Sequence, residues 1–105
     1  MNTKIIKLSS NEIWPLLNIL NEVCHGIHIE NFEKIIGAKK ENAVILMDRI
    51  SNEEKVETIL ILNKSELDIL KNSSLEVFKQ IDEWEFQTRI GISRNEVIKI
   101  IEKIE

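Results

Sequence analysis

Cysteine, proline and glycine are scarce in this 105-residue sequence, at one, one and three, and tyrosine is absent. Each scarcity excludes something. The lone Cys24 cannot close an intrachain disulfide, so the fold must rest on its core, and a reducing compartment, the cytoplasm, is the expected setting. Three glycines spread over residues 26–91 supply no glycine-rich loop to cradle a phosphate. The longest apolar runs, residues 43–47 and 59–62, fall far short of the roughly 18 residues that span a bilayer, so no membrane association is expected. Residues 1–12 lack the apolar stretch and small-residue cleavage site of a secretory leader. Positive charge is also in deficit. Fourteen basic residues against eighteen acidic ones leave a net charge of −4, which argues against nucleic acid as the partner, because a phosphate backbone needs a net basic face.

What the chain does have is isoleucine and repetition. Hydrophobic residues make up 43% of it, enough for one domain of this length to bury roughly 60–70% of its unfolded surface. When residues 5–50 are laid over residues 59–104 without a gap, twelve pairs are identical. Among them are Leu16/Leu70, Asn18/Asn72, Glu22/Glu76, Phe32/Phe86 and Gly37/Gly91. Most other pairs exchange one apolar residue for another. Residues 1–105 therefore read as a single domain of two repeats, about 4–50 and 58–104, joined by the polar residues 51–55.

The repeats share one layout. Residues 4–8 and 56–62 are short and isoleucine-rich, as strands are, and an antiparallel ribbon across a pseudo-twofold axis is the simplest way to pair them. A helix follows, with Ser9 and Glu12 in the spacing of a capping box and Ile13, Leu16, Leu17, Leu20, Val23, Cys24 and Ile27 on one face. Pro15 suits only a first turn, which places the regular helix from about Ile13. In the second copy Asn72, Ser73 and Ser74 interrupt the stripe, and a bend or fraying is expected there. Short helices over 30–36 and 83–90 end at Gly37 and Gly91, where a left-handed cap is wanted. Closing helices over 40–50 and 94–104 carry the stripes Ala43, Val44, Leu46, Met47, Ile50 and Val97, Ile98, Ile100, Ile101, Ile104. The fold class is mostly α with two short β-strands: a tandem duplication of a strand–helix–helix–helix unit with pseudo-twofold symmetry.

Few residues suggest chemistry. Cys24, His25 and His28 lie close together, but a structural zinc takes four ligands and the chain holds three Cys or His in all. Neither a metal nor another cofactor is expected. Cys24 beside His25 is no catalytic pair, since neighbouring helical side chains diverge by about 100°. No paired carboxylates sit in a recognisable pocket motif, so an enzyme is not expected. Residues 86–97 read as helix, glycine turn, helix, the grammar of a DNA-binding helix-turn-helix, with Arg94 at the start of the second helix. Basic and acidic residues alternate on that helix, where phosphate binding wants one sign.

The sharpest surface feature is Asp82, Glu83, Trp84 and Glu85, with Glu76 upstream. Acids at a helix start complement the macrodipole, with Trp84 then half buried. The same residues also suit a protein interface, an aromatic anchor ringed by carboxylates for a basic partner. His25 and His28 mark the equivalent edge of the first repeat, and Trp14 is a second possible anchor.

The run from Leu20 to Ile27, Leu-Asn-Glu-Val-Cys-His-Gly-Ile, followed by Phe32-Glu and Ile36-Gly37, resembles small bacterial immunity proteins of polymorphic toxin systems, including contact-dependent growth inhibition. The second repeat keeps the Phe and Ile-Gly elements but has Leu75, Gln80 and Gln87 in place of Asn21, Gly26 and Glu33. The resemblance implies a cytoplasmic protein that binds a cognate toxin domain, in many systems a nuclease with a basic cleft, and occludes its active site. The alternatives are a helix-turn-helix regulator and a small adaptor or assembly module. The internal twofold favours a monomer, while free strand edges offer a route to a second copy.

Overall fold

The isoleucine-rich segments form strands, as expected. In the computed structural model, which describes residues 3–53 and 57–104, β1 (Thr3–Ser9) pairs antiparallel with β2 (Glu57–Asn63), with Ile6 opposite Leu60. Val56, expected to open the second strand, lies outside the described residues. Because successive side chains alternate across a strand, Ile6, Leu8, Thr58, Leu60 and Leu62 point into the core, and Ile5, Ile59 and Ile61 point out.

Each strand feeds a helix through a capping box. The Ser9 amide donates to Glu12 at 3.0 Å at the start of α1 (Ser10–Asn21). At the start of α4 (Lys64–Gln80), the Asn63 amide donates to Glu66 at 2.9 Å and its side chain accepts from the Glu66 amide at 2.8 Å. Each box satisfies orphan donors of a first turn, worth about 1 kcal/mol. Four further α-helices lie among the described residues: α2 (Phe32–Ile36), α3 (Lys40–Glu53), α5 (Glu83–Ile90) and α6 (Arg94–Ile104). The chain is mostly helical with a two-stranded antiparallel sheet. No helix among the described residues is long and apolar enough to cross a membrane.

Four of the polar contacts between the halves form two matching pairs. Asn18 donates to the Ile90 carbonyl at 2.7 Å, and Asn72 donates to the Ile36 carbonyl at 2.9 Å. These carbonyls close α5 and α2, whose C-caps are Gly91 and Gly37 at φ 104° and 92°, a backbone region that favours glycine. Lys103 reaches Glu12 at 3.0 Å, and Arg49 reaches Glu66 at 2.6 Å. The core between these contacts is aliphatic, with Leu16, Leu20, Ile36, Leu70 and Ile90 among its fully buried members.

Several local expectations are corrected. α1 begins at Ser10, and Pro15 lies inside it. The capping box decides the start, and the carbonyl deprived of its donor by Pro15 belongs to Asn11, which is exposed and can face water. α4 runs unbroken through Asn72, Ser73 and Ser74. The Ser74 hydroxyl is satisfied by the Leu70 carbonyl one turn back at 2.8 Å, and Asn72 is engaged with α2. α2 starts late, because Asn31 adopts a left-handed conformation, φ 55°. α3 continues to Glu53, so residues 51–53 of the expected joint are helical; residues 54 and 55 lie outside the described residues. In the closing stripes, Ile98 is exposed rather than buried.

Candidate partner-binding face

α1 and α4 both start at strand ends and run on the order of 20–25 Å to their C-termini. Here the expected site residues of the two halves converge. α1 ends in a π-helical turn over Glu22–Gly26, sealed by the Ile27 amide donating to the Glu22 carbonyl at 2.7 Å. A Cβ at Gly26 would overlap the Glu22 carboxylate, so the glycine leaves room for that side chain to lie where it does. That carboxylate accepts two bonds from Arg89 of α5, the Nε bond at 3.1 Å. The contact raises the Arg89 guanidinium above its ordinary pKa. Glu85 stands on the other side of Arg89 at 3.9 Å.

A second bridge runs beside the first. Gln80, at the end of α4, donates to the His28 carbonyl at 3.0 Å and to the Glu76 carboxylate at 2.6 Å. The sequence placed His25 and His28 on one edge and the acidic cluster on its equivalent. The structure instead joins the His28 loop to the α4–α5 junction, through Glu76–Gln80–His28 and Glu85–Arg89–Glu22. His25 and His28 are exposed.

Within the acidic cluster the residues separate. Asp82 and Glu83 are exposed and Glu85 is partly so. Trp84, expected to be half buried if its role were purely structural, is 79% exposed, the most exposed large hydrophobic residue of those described. Glu76 is buried at 9% exposure and held by Gln80, so it supports the face from beneath. α5 points Phe86 inward onto Phe78, ring centroids 5.4 Å apart. With that anchor on its inner side, Trp84 is carried outward two residues earlier.

Other sequence candidates resolve plainly. Cys24 is buried, and burial pushes its thiol pKa up, the opposite of an activated nucleophile. No group of three or more His, Cys, Asp or Glu among the described residues is placed to hold a metal ion. Arg94 bends back into the domain, donating to the Ile81 carbonyl at 2.6 Å and lying over the Phe86 ring at 5.4 Å. It is therefore not presented to a DNA groove. Glu96 is engaged with Ser93 in a capping box at the start of α6.

Trp14, 54% exposed, rims a cleft of about 830 Å³ between α1 and α6, with Pro15, Gly91, Ile92 and Lys99. Its Glu12 and Lys103 are paired with each other. Sequence reasoning missed the outer ribbon face of Ile5, Ile59 and Ile61. The signal was the unbroken run Ile59–Leu62, apolar toward both sides of a strand. Comparison with protein-family models, characterised proteins and solved structures finds no match to this chain.

Proposed function

We propose that this protein is a stoichiometric inhibitor, an immunity protein that binds a cognate toxin domain with a basic cleft and blocks its active site in the cytoplasm. The observation that carries the reading is Trp84, 79% exposed between the exposed carboxylates of Asp82 and Glu83 and the partly exposed one of Glu85. A large aromatic held in water by a rigid helix is unfavourable for an isolated domain and favourable as an anchor in a partner's pocket. The surrounding acids suit a basic partner and speed its encounter. Cross-braces from Arg89 and Gln80 hold the face in place, reducing the ordering cost of binding. The reading also agrees with the net charge of −4.

The chain descends, in this reading, from duplication of one strand–helix–helix–helix unit. Support comes from bonds that recur when each residue is exchanged for its counterpart 54 positions away in the other half: Asn18 to Ile90 with Asn72 to Ile36, and Glu12 to Lys103 with Glu66 to Arg49. The ribbon register, centred on Ile6 and Leu60, obeys the same shift.

The test is co-expression with the C-terminal domain encoded by the gene immediately upstream. A one-to-one complex on size exclusion, with rescue of growth from an otherwise toxic neighbour, is the expected result. Absence of both toxicity and complex overturns the proposal.

A further inference from the structure

Trp84 is the first of a row of exposed apolar residues. Residues three apart on a helix are neighbours, so Gln87 sits beside Trp84 on α5. Gln87 and Glu83 wall one side of a hollow of about 280 Å³, and Arg94, Asn95 and Ile98 of α6 wall the other. Ile98 also rims a second hollow, of about 170 Å³, lined by Leu75 and Phe78 of α4 and Ile101 of α6. Trp84, Ile98 and Leu75 therefore follow one another across α5, α6 and α4, with a hollow on each side of Ile98. Ile98 is 43% exposed and Leu75 54%. Single exposed apolar residues are ordinary, but with Trp84 these two offer on the order of 300–400 Å² of apolar surface, the size of a functional patch.

The fold does not require two of the three. At the counterparts of Leu75 and Trp84, 54 positions earlier, stand Asn21 and Glu30, both exposed, and the first half folds with polar residues there. The floor of the second hollow is fixed from beneath, where Phe78 packs on Phe86. Accessible charge at the hollows is acidic. Glu83 stands at the first and Glu102 at the second, both exposed. The two cations that line the hollows are already engaged. Arg94 is held by the Ile81 carbonyl and lies over the Phe86 ring, and Lys71 makes an interaction of its own. Lys79, one turn beyond Leu75, lines neither hollow.

We infer that this row continues the partner-binding face, an inference that rests on the inhibitor reading above. Its occupant is an amphipathic segment of the toxin domain. An apolar side chain of that segment enters the hollow between Leu75 and Ile98, and basic side chains beside it meet Glu83 and Glu102. A stable complex buries about 800 Å² on each partner, more than one exposed tryptophan among carboxylates can supply, and the row extends the face toward that size. It also divides the labour. The carboxylates attract any basic surface, whereas the hollow rewards only a segment with an apolar residue at the matching place, so the row supplies specificity.

The test is calorimetry of the full chain against the C-terminal domain encoded by the gene immediately upstream. Leu75→Lys and Ile98→Lys are each expected to weaken binding about tenfold or more, because an apolar contact is replaced by a charge of the partner's own sign. Leu75→Ala is expected to weaken it about three- to fivefold, and Ile5→Ala, exposed on the ribbon, to leave it unchanged. Leu75 is more than half exposed, so its variants should melt with the wild type. Wild-type binding that Trp84→Ala weakens, but that Leu75→Lys and Ile98→Lys leave intact, overturns this inference and leaves the inhibitor reading standing. No binding by the wild type overturns both.

Discussion

Asn18 and Asn72 make the same bond from opposite halves of the molecule, each donating its side-chain amide to the last carbonyl of a short helix in the other half. The carbonyls of Ile90 and Ile36 are orphans of helix termini and lie against the core, where water is a poor substitute. The two amides tie α5 to α1 and α2 to α4.

Replacing either asparagine by alanine is expected to cost about 1–2 kcal/mol, the cost of leaving a part-buried carbonyl unpaired. For a domain of this size each kcal/mol lowers the melting temperature by about 4–8 °C. Asn72→Asp, which keeps the shape and loses the donor, is expected to cost at least as much as Asn72→Ala. With no shared partner, the Asn18→Ala and Asn72→Ala effects should add to within about 0.5 kcal/mol. Thermal or urea unfolding of the set checks this.

Gly26 and Glu22 should behave as one unit. In Gly26→Ala the new methyl displaces the Glu22 carboxylate from Arg89. A destabilisation of about 1–2 kcal/mol is expected in a background that retains Glu22, and a much smaller one in Glu22→Ala. A double-mutant cycle measured by urea unfolding reads the coupling, which vanishes if Gly26 serves only as a flexible residue.

The acid limb of the stability curve should carry a contribution from Glu12. Burial by itself raises this carboxyl, but the Ser9 amide and the Lys103 ammonium outweigh it and hold the pKa below its ordinary value. The unfolded chain therefore binds the proton more readily than the folded one. The contribution is fully present above the ordinary glutamate range and is lost as pH falls through the depressed folded value. Glu12→Gln is expected to cost about 0.5–1 kcal/mol at neutral pH, as loss of a capping carboxylate and a part-exposed ion pair does. The gap between variant and wild type should close on acidification. Unfolding midpoints at a series of pH values measure it.

Much of this architecture is legible in the sequence because it depends on local rules. The box at Ser9 and Glu12, the glycine caps at Gly37 and Gly91, and the inward isoleucines are each set by neighbours within four residues. The misreadings arise where a distant residue decides. Ser73 and Ser74 disfavour a helix locally, yet α4 stays whole because Asn72 is bonded to Ile36, 36 residues away, and Ser74 bonds within its own turn. Glu76 looked like part of a solvated acidic cluster until Gln80 and the core enclosed it. Arg94 looked free for a DNA groove, and only the packed position of Ile81 and Phe86 shows where its guanidinium rests. Trp84 is the converse case. Its outward direction follows from Phe86 filling the inward position, which periodicity alone did not reveal.

The most direct test of the central claim is the affinity of the purified chain for the C-terminal domain encoded by the gene immediately upstream, the proposed toxin, compared between wild type and Trp84→Ala by calorimetry. Trp84 contributes little to folding, so the variant is expected to melt within about 0.5 kcal/mol of wild type. The account expects one-to-one binding that weakens about 30-fold or more in Trp84→Ala, the effect of removing a central aromatic anchor. Glu83→Lys should act chiefly on association rate at low salt. Equal affinity of wild type and Trp84→Ala, or no binding by either, would contradict it.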